Sequence, residues 1–227
     1  MSHGNAPDRH RLFVALPVAD EVREVIAQAQ AQIRRTLPDG AIRWTSPEQF
    51  HLTLQFLGAV EAPRVDPLIE SLRAACKGFQ PMHLRLRGIG AFSNWRRPRV
   101  IWVGVEDSDH RLTELHRAVE AACSGFALTK LRRTYDKVLH EAADTAEDGH
   151  TASSVEEELA SHITVGRIKK LDRSHSVVLR DAATAANRGL AGEWTAGNVE
   201  TIRSILAADG AQHTLLAAIS LEAQAAR

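Results

Sequence analysis

Phe50-His51-Leu52-Thr53-Leu54-Gln55-Phe56-Leu57-Gly58 reads as a short apolar strand, and Ser161-His162-Ile163-Thr164-Val165-Gly166-Arg167 repeats its pattern far downstream. In a strand, residues i and i+2 point to the same face. His51 and Thr53 therefore stand side by side on one face. Strict alternation sends Phe50, Leu52, Leu54 and Phe56 to the other, into a core. His162 and Thr164 repeat the arrangement, backed by Ile163 and Val165. The chain has 11 His and 13 Thr, so chance placement gives roughly 0.6 His-x-Thr pairs. Two occur, both on predicted strands, and none of the other histidines has a Thr two residues on.

Around these strands the chain alternates elements. Leu12 to Leu16 is an apolar run stopped by Pro17, which predicts a buried strand. Asp20 is placed to cap a helix carrying Val22, Val25, Ile26, Ala29 and Ile33 at helical spacing. Ile42 to Trp44 predicts a short strand. A second helix carries Val65, Leu68, Ile69, Leu72 and Cys76. Met82, Leu84 and Leu86 alternate with His83, Arg85 and Arg87 as a half-buried strand, followed by a loop from Gly88 to Pro98. Arg99 to Val105 is a further strand, and Leu112, Leu115, Val119 and Ala122 mark a further helix. Strand, helix and His-Thr strand thus occur as 12–16, 20–36, 50–57 and again as 99–105, 109–123, 161–168, which points to an internal duplication. Lys130 to Glu141 has helical spacing, and Asp144 to Ser154 is polar and loop-like. Ser176 to Trp194 is Ala-rich and partly helical in expectation. Val199–Leu206 and Gln212–Leu221 flank Asp209-Gly210, a hairpin signal. Strands interleaved with helices but closed by hairpins give an α+β fold with mixed or antiparallel sheets.

Composition bounds the function. Lys+Arg and Asp+Glu both total 28, so the formal net charge is zero, which argues against wrapping long nucleic acid through charge alone. Two cysteines, Cys76 and Cys123, make no disulfide framework and suit a reducing cytoplasm. Met1 to His10 is polar, so no signal peptide is expected, and no apolar run reaches the ~18 residues of a membrane span. Between Arg85 and Arg99 five arginines and no acidic residue surround Phe92 and Trp95, a composition suited to phosphate contact and base stacking. Trp44 can line a cleft or fill the core.

Two imidazoles and two hydroxyls form a coherent set. Histidine is the side chain whose ordinary pKa lets acid and base forms coexist near neutrality. Thr53 and Thr164 hydroxyls are donors for a developing phosphoryl charge. Neither motif has a second His, Asp or Glu at metal-ligand spacing, so no metal or cofactor is expected. Strict alternation places Arg167 opposite His162, as a structural or rim residue, unless Gly166 marks a bulge.

The residues Arg11-Leu12-Phe13-Val14-Ala15-Leu16, Ile42-Arg43-Trp44, Pro47-Glu48, His51-Leu52-Thr53-Leu54, Phe56-Leu57-Gly58, Arg97-Pro98-Arg99-Val100-Ile101-Trp102, Gly104-Val105 and His162-Ile163-Thr164-Val165 resemble the two-histidine (2H) phosphoesterase superfamily. Within it, the likeness is to the RNA 2′,3′-cyclic phosphodiesterases, historically called 2′-5′ RNA ligases. Residues 124–160 and 176–196 depart from that pattern, and Ser161 stands where the family usually has Pro. The resemblance implies one domain over 1–227, with 1–10 a disordered lead-in and 124–160 an atypical insertion. It implies a bilobal, pseudo-two-fold fold of two sheets flanked by helices around a central cleft. The site residues it implies are His51 as general acid, His162 as general base, Thr53 and Thr164. The implied protein is a cytoplasmic monomer with no membrane partner. It acts on RNA ends or nucleotides bearing a 2′,3′-cyclic phosphate and leaves a 2′-phosphomonoester. The alternatives are 2′-5′ ligation of tRNA halves and a non-catalytic RNA-binding module.

Overall fold

Leu12 to Leu16 are all buried and form the middle of β1 (Arg9–Pro17). The computed structural model describes residues 8–109, 111–126, 161–207 and 210–222. After β1 come α1 (Asp20–Arg34), β2 (Ile42–Trp44), β3 (His51–Glu61), α2 (Val65–Cys76), β4 (Met82–Phe92), β5 (Val100–Asp107) and α3 (Arg111–Cys123). They are followed by β6 (His162–Ile168), α4 (Arg173–Ala186), β7 (Glu193–Ala196), β8 (Asn198–Ala207) and β9 (Gly210–Ser220). Asp20 lies inside the first turn of α1 and does not cap it; the cap position is Ala19. There the carboxylate still faces the positive helix end and pairs with Arg23. Asp172 does cap α4, accepting the His175 backbone N–H at 2.8 Å, as its short acidic side chain favours.

The strands form one antiparallel path, β7-β4-β5-β6-β3-β1-β8-β9, with β2 also paired to β6. Where two sheets are expected, two four-strand halves are joined by a narrow seam. β3 and β6 meet there through the register pair Leu52↔Ile163. α1 packs with α4 and α2 with α3. Their apolar stripes share one core with Leu12, Val14, Leu16, Leu52, Leu54, Ile101, Val103, Ile163 and Val165. The opposite face carries its own small cluster, Phe13, Ala15 and Ile202.

Two segments differ from expectation. β4 runs on through Gly88 to Phe92. Gly88 adopts φ 64, open to glycine at little cost, and is the extra residue where the β4–β5 register shifts. The Ala-rich segment ends in strand β7, whose alternation is only four residues long; Trp194 is buried there, donating its indole N–H to the Pro17 carbonyl at 3.1 Å. The β8–β9 hairpin forms, but Gly210 stands in β9 and pairs with Ala207 rather than lying in the turn. The helix expected at 130–141 and the loop at 144–154 lie outside the described residues. Among the described residues no helix is long and apolar enough to cross a membrane.

Candidate functional site

The seam places the two motifs on one surface. Side chains of a cross-strand pair share a face, and Leu52 and Ile163 are both fully buried. Their flanking residues His51, Thr53, His162 and Thr164 therefore all point to the opposite face, where each is half-buried. An antiparallel pair has a local two-fold axis, so His51 lies towards Thr164 and Thr53 towards His162. The diagonal between the histidine Cα atoms is then about 8 Å, from strand rise and spacing. Two imidazoles at that separation can bracket one tetrahedral group.

Each histidine is held by aromatic neighbours. The His51 ring stacks on Phe13 at 4.7 Å and meets His213 of β9 edge-on at 5.5 Å. Its Nδ1 lies 2.7 Å from the Gln49 carbonyl, which fixes Nδ1 as the protonated nitrogen and leaves Nε2 for chemistry. The Gln49 side-chain amide in turn donates to the Ala211 carbonyl, tying the β8–β9 hairpin to the His51 shoulder. Burial pushes the His51 pKa down to about 4; the Gln49 carbonyl opposes that shift, and the neighbouring His213, His162 and Arg167 add to it. Burial also lowers the His213 pKa. Neither His213 nor Gln49 carries a motif, and only the return of β9 beside β8 brings His213 here. His162 packs edge-on to Phe92 at 5.0 Å and to Trp102 at 6.4 Å.

A β-bulge follows the Thr of each motif. β1 residues Val14 and Ala15 pair with Gln55 and Thr53, so Leu54 is the extra residue in β3. β5 residues Ile101 and Trp102 pair with Gly166 and Thr164, so Val165 is the extra residue in β6. A bulge reverses the alternation beyond it. Phe56 consequently leaves the core: it is 38% exposed and packs beside Phe13 at 5.9 Å, whereas Phe50, Leu52 and Leu54 stay buried as expected. The second bulge turns Arg167 onto the face of His162. The bulged residue is Val165, one position before Gly166. The fifth residue after each histidine thus joins the site, an aromatic ring from one motif and a guanidinium from the other.

Arg167 keeps like-charged company. Its cross-strand partner is Arg43, and surrounding protein together with Arg43 and Arg11 lowers its pKa. Like charges directly opposite one another repel, so this corner favours an anion. Trp44, the neighbour of Arg43, packs against the core. Of the expected basic stretch, Arg85 is engaged by Glu106 at 2.8 Å on an exposed face of the sheet. Arg96 and Arg97 lie in the β4–β5 hairpin, their backbone N–H groups donating to Asn94 Oδ1. Among the described residues no three His, Cys, Asp or Glu side chains converge as a metal-holding group.

Comparisons with known proteins bear on the family and the fold. Residues 16–102 match the family model described as LigT like phosphoesterase. A Thermotoga maritima protein named RNA 2′,3′-cyclic phosphodiesterase is 31% identical over 160 residues, covering 70% of each chain. One of the same name from Methanocaldococcus jannaschii is 24% identical over 88% of this chain and 94% of its own. Among solved structures, TT0787 of Thermus thermophilus superimposes with a TM-score of 0.64 at 24% identity, over 94% of this chain and 99% of that one. E. coli LigT complexed with phosphate gives 0.60 at 24% identity, over 96% and 99%.

Proposed function

The chain belongs to the LigT-like phosphoesterase family, and on that premise we propose that it opens 2′,3′-cyclic phosphates of RNA ends or nucleotides to 2′-phosphomonoesters without a metal. The observation that carries this reading is the Leu52↔Ile163 pair, which puts two His-Thr pairs on one face around a local two-fold axis. His162 takes a proton from water as its oxygen bonds to phosphorus. The P–O3′ bond breaks, and His51 Nε2 delivers a proton to the leaving O3′. Thr53 and Thr164 hydroxyls and Arg167 donate to the non-bridging oxygens as charge builds. Bringing the cyclic phosphate anion against His51 favours its imidazolium, so the substrate's own charge assembles the acid.

A second assignment has a specific observation in its favour. With Nδ1–H held by Gln49 and the pKa at about 4, His51 rests as a neutral ring with a free Nε2 lone pair, which is the form of a base. A substrate with sulfur in place of the leaving O3′ separates the two, because thiolate departs without protonation. Restored turnover in His51→Ala alone makes His51 the acid; restoration in His162→Ala alone exchanges the roles.

The test of the reading itself is incubation with 2′,3′-cyclic AMP in a chelator. Appearance of 2′-AMP with wild type, and its loss in His51→Ala and His162→Ala, supports it. Retained RNA affinity with no turnover makes the protein a binding module, joining of tRNA halves makes it a ligase, and activity abolished by the chelator overturns the metal-free step.

A further inference from the structure

Arg167 reaches the site only because Val165 bulges, so whatever stabilises that bulge acts on the site. β6 lies beside β2 at Gly166 to Ile168 and beside β3 at Ile163. At Val165 the neighbouring slot passes from one strand to the next, between the register pairs of β2 and those of β3. The Val165 carbonyl accepts the Thr45 backbone N–H at 3.0 Å. Gln30, on α1, closes the gap: its side-chain Nε2 donates to the Thr45 carbonyl at 2.7 Å and to the Val165 carbonyl at 2.9 Å. One amide group has two N–H donors, and both are used. On a surface helix position this residue would be interchangeable with Glu; here a carboxylate would face two carbonyl acceptors with no N–H to give.

The other motif bulges at the matching position. Leu54, the bulged residue of β3, is like Val165 the third residue after a motif histidine, and α3 packs against β3.

We propose that Gln30 is a positioning residue for phosphoryl recognition: by holding the Val165 bulge it keeps Arg167 on the face of His51 and His162. Gln30 touches no substrate and acts through Arg167. The proposal rests on the reading of this site as one that binds a phosphate ester.

The test measures inhibition by 2′-AMP, and its direct binding, in wild type, Gln30→Leu, Arg167→Ala and the double variant, with thermal melting on the same samples. Loss of a charge-assisted contact gives about a tenfold weaker affinity or more. Gln30→Leu is expected to approach the Arg167→Ala value, and the double variant to be no weaker than Arg167→Ala alone. A Gln30→Leu protein that melts lower but binds 2′-AMP as wild type does overturns the proposal, as do losses that multiply in the double variant. Should Gln30→Leu not fold, Gln30→Asn keeps the amide one methylene short and must show a graded loss of affinity; wild-type affinity in it is equally contrary. Binding of 2′-AMP without any turnover of 2′,3′-cyclic AMP in wild type would defeat the hydrolase reading and leave the Gln30–Arg167 coupling measurable.

Discussion

The depressed His51 pKa makes a prediction for stability as well as chemistry. A free histidine titrates near 6.5, and in the fold His51 is pushed down to about 4, chiefly by burial. The unfolded chain therefore takes up the proton first. Stability from this ring is intact above pH 6.5 and is lost as pH falls from there towards 4. Between pH 7 and pH 5 the loss from a shift of that size is about 2 kcal/mol. The ring is partly open to solvent, so about 1–2 kcal/mol is the working figure. The perturbation is His51→Leu, read by urea unfolding at pH 7 and pH 5. His116 and His213, whose pKa values burial also lowers, titrate in both proteins and cancel in the comparison. Wild type should lose about 1–2 kcal/mol more than the variant between the two pH values. Equal losses, or a His51 ring that titrates near 6.5 by NMR in the free protein, would refute the account of its environment.

Other outcomes follow from the two bulges and the arginine corner. Phe56→Ala should leave the melting temperature almost unchanged, since the ring is 38% exposed. It should raise KM for a cyclic nucleotide about tenfold, the worth of one stacked base; an unchanged KM removes Phe56 from the site. Arg43→Ala should flatten the dependence of log kcat/KM on log salt by ~0.7 for a single-stranded RNA with a cyclic end. An unchanged slope would mean that RNA does not pass Arg43. Gly166→Ala places a Cβ 2.9 Å from Ile42 Cγ2 and 3.0 Å from Trp44 Cε3, an overpacked contact costing about 1–3 kcal/mol. Thermal melting checks it, and a variant as stable as wild type would show that this approach is not tight.

Much of this was legible in the residues. The apolar run at 12–16 and the helical stripes behind it encode their elements locally, and each formed; the Asp209-Gly210 signal announced the β8–β9 hairpin but not its register, since Gly210 already pairs with Ala207. The pairing of His51 with Thr53 and of His162 with Thr164 follows from period-two alternation, which holds up to the Thr of each motif. It fails beyond the residue that follows. Phe56 and Arg167 are on the opposite face from where alternation sends them, because Leu54 and Val165 bulge. A bulge is set by the partner strand's register and by side chains such as Gln30 that arrive from elsewhere, and neither leaves a local trace. The same limit hid β7, a four-residue edge strand inside an Ala-rich segment, and the extension of β4 through Gly88. His213 was invisible for a simpler reason: an isolated histidine on a late strand gains meaning only when β9 folds back beside β8.

The central claim is that His51 and His162 act on the same phosphorus. Its most direct test is a crystal structure with 2′-AMP bound. The account predicts Nε2 of both rings within about 3 Å of oxygens on that one phosphate, with Arg167 on a third. A phosphate held by one histidine while the other faces solvent would contradict it.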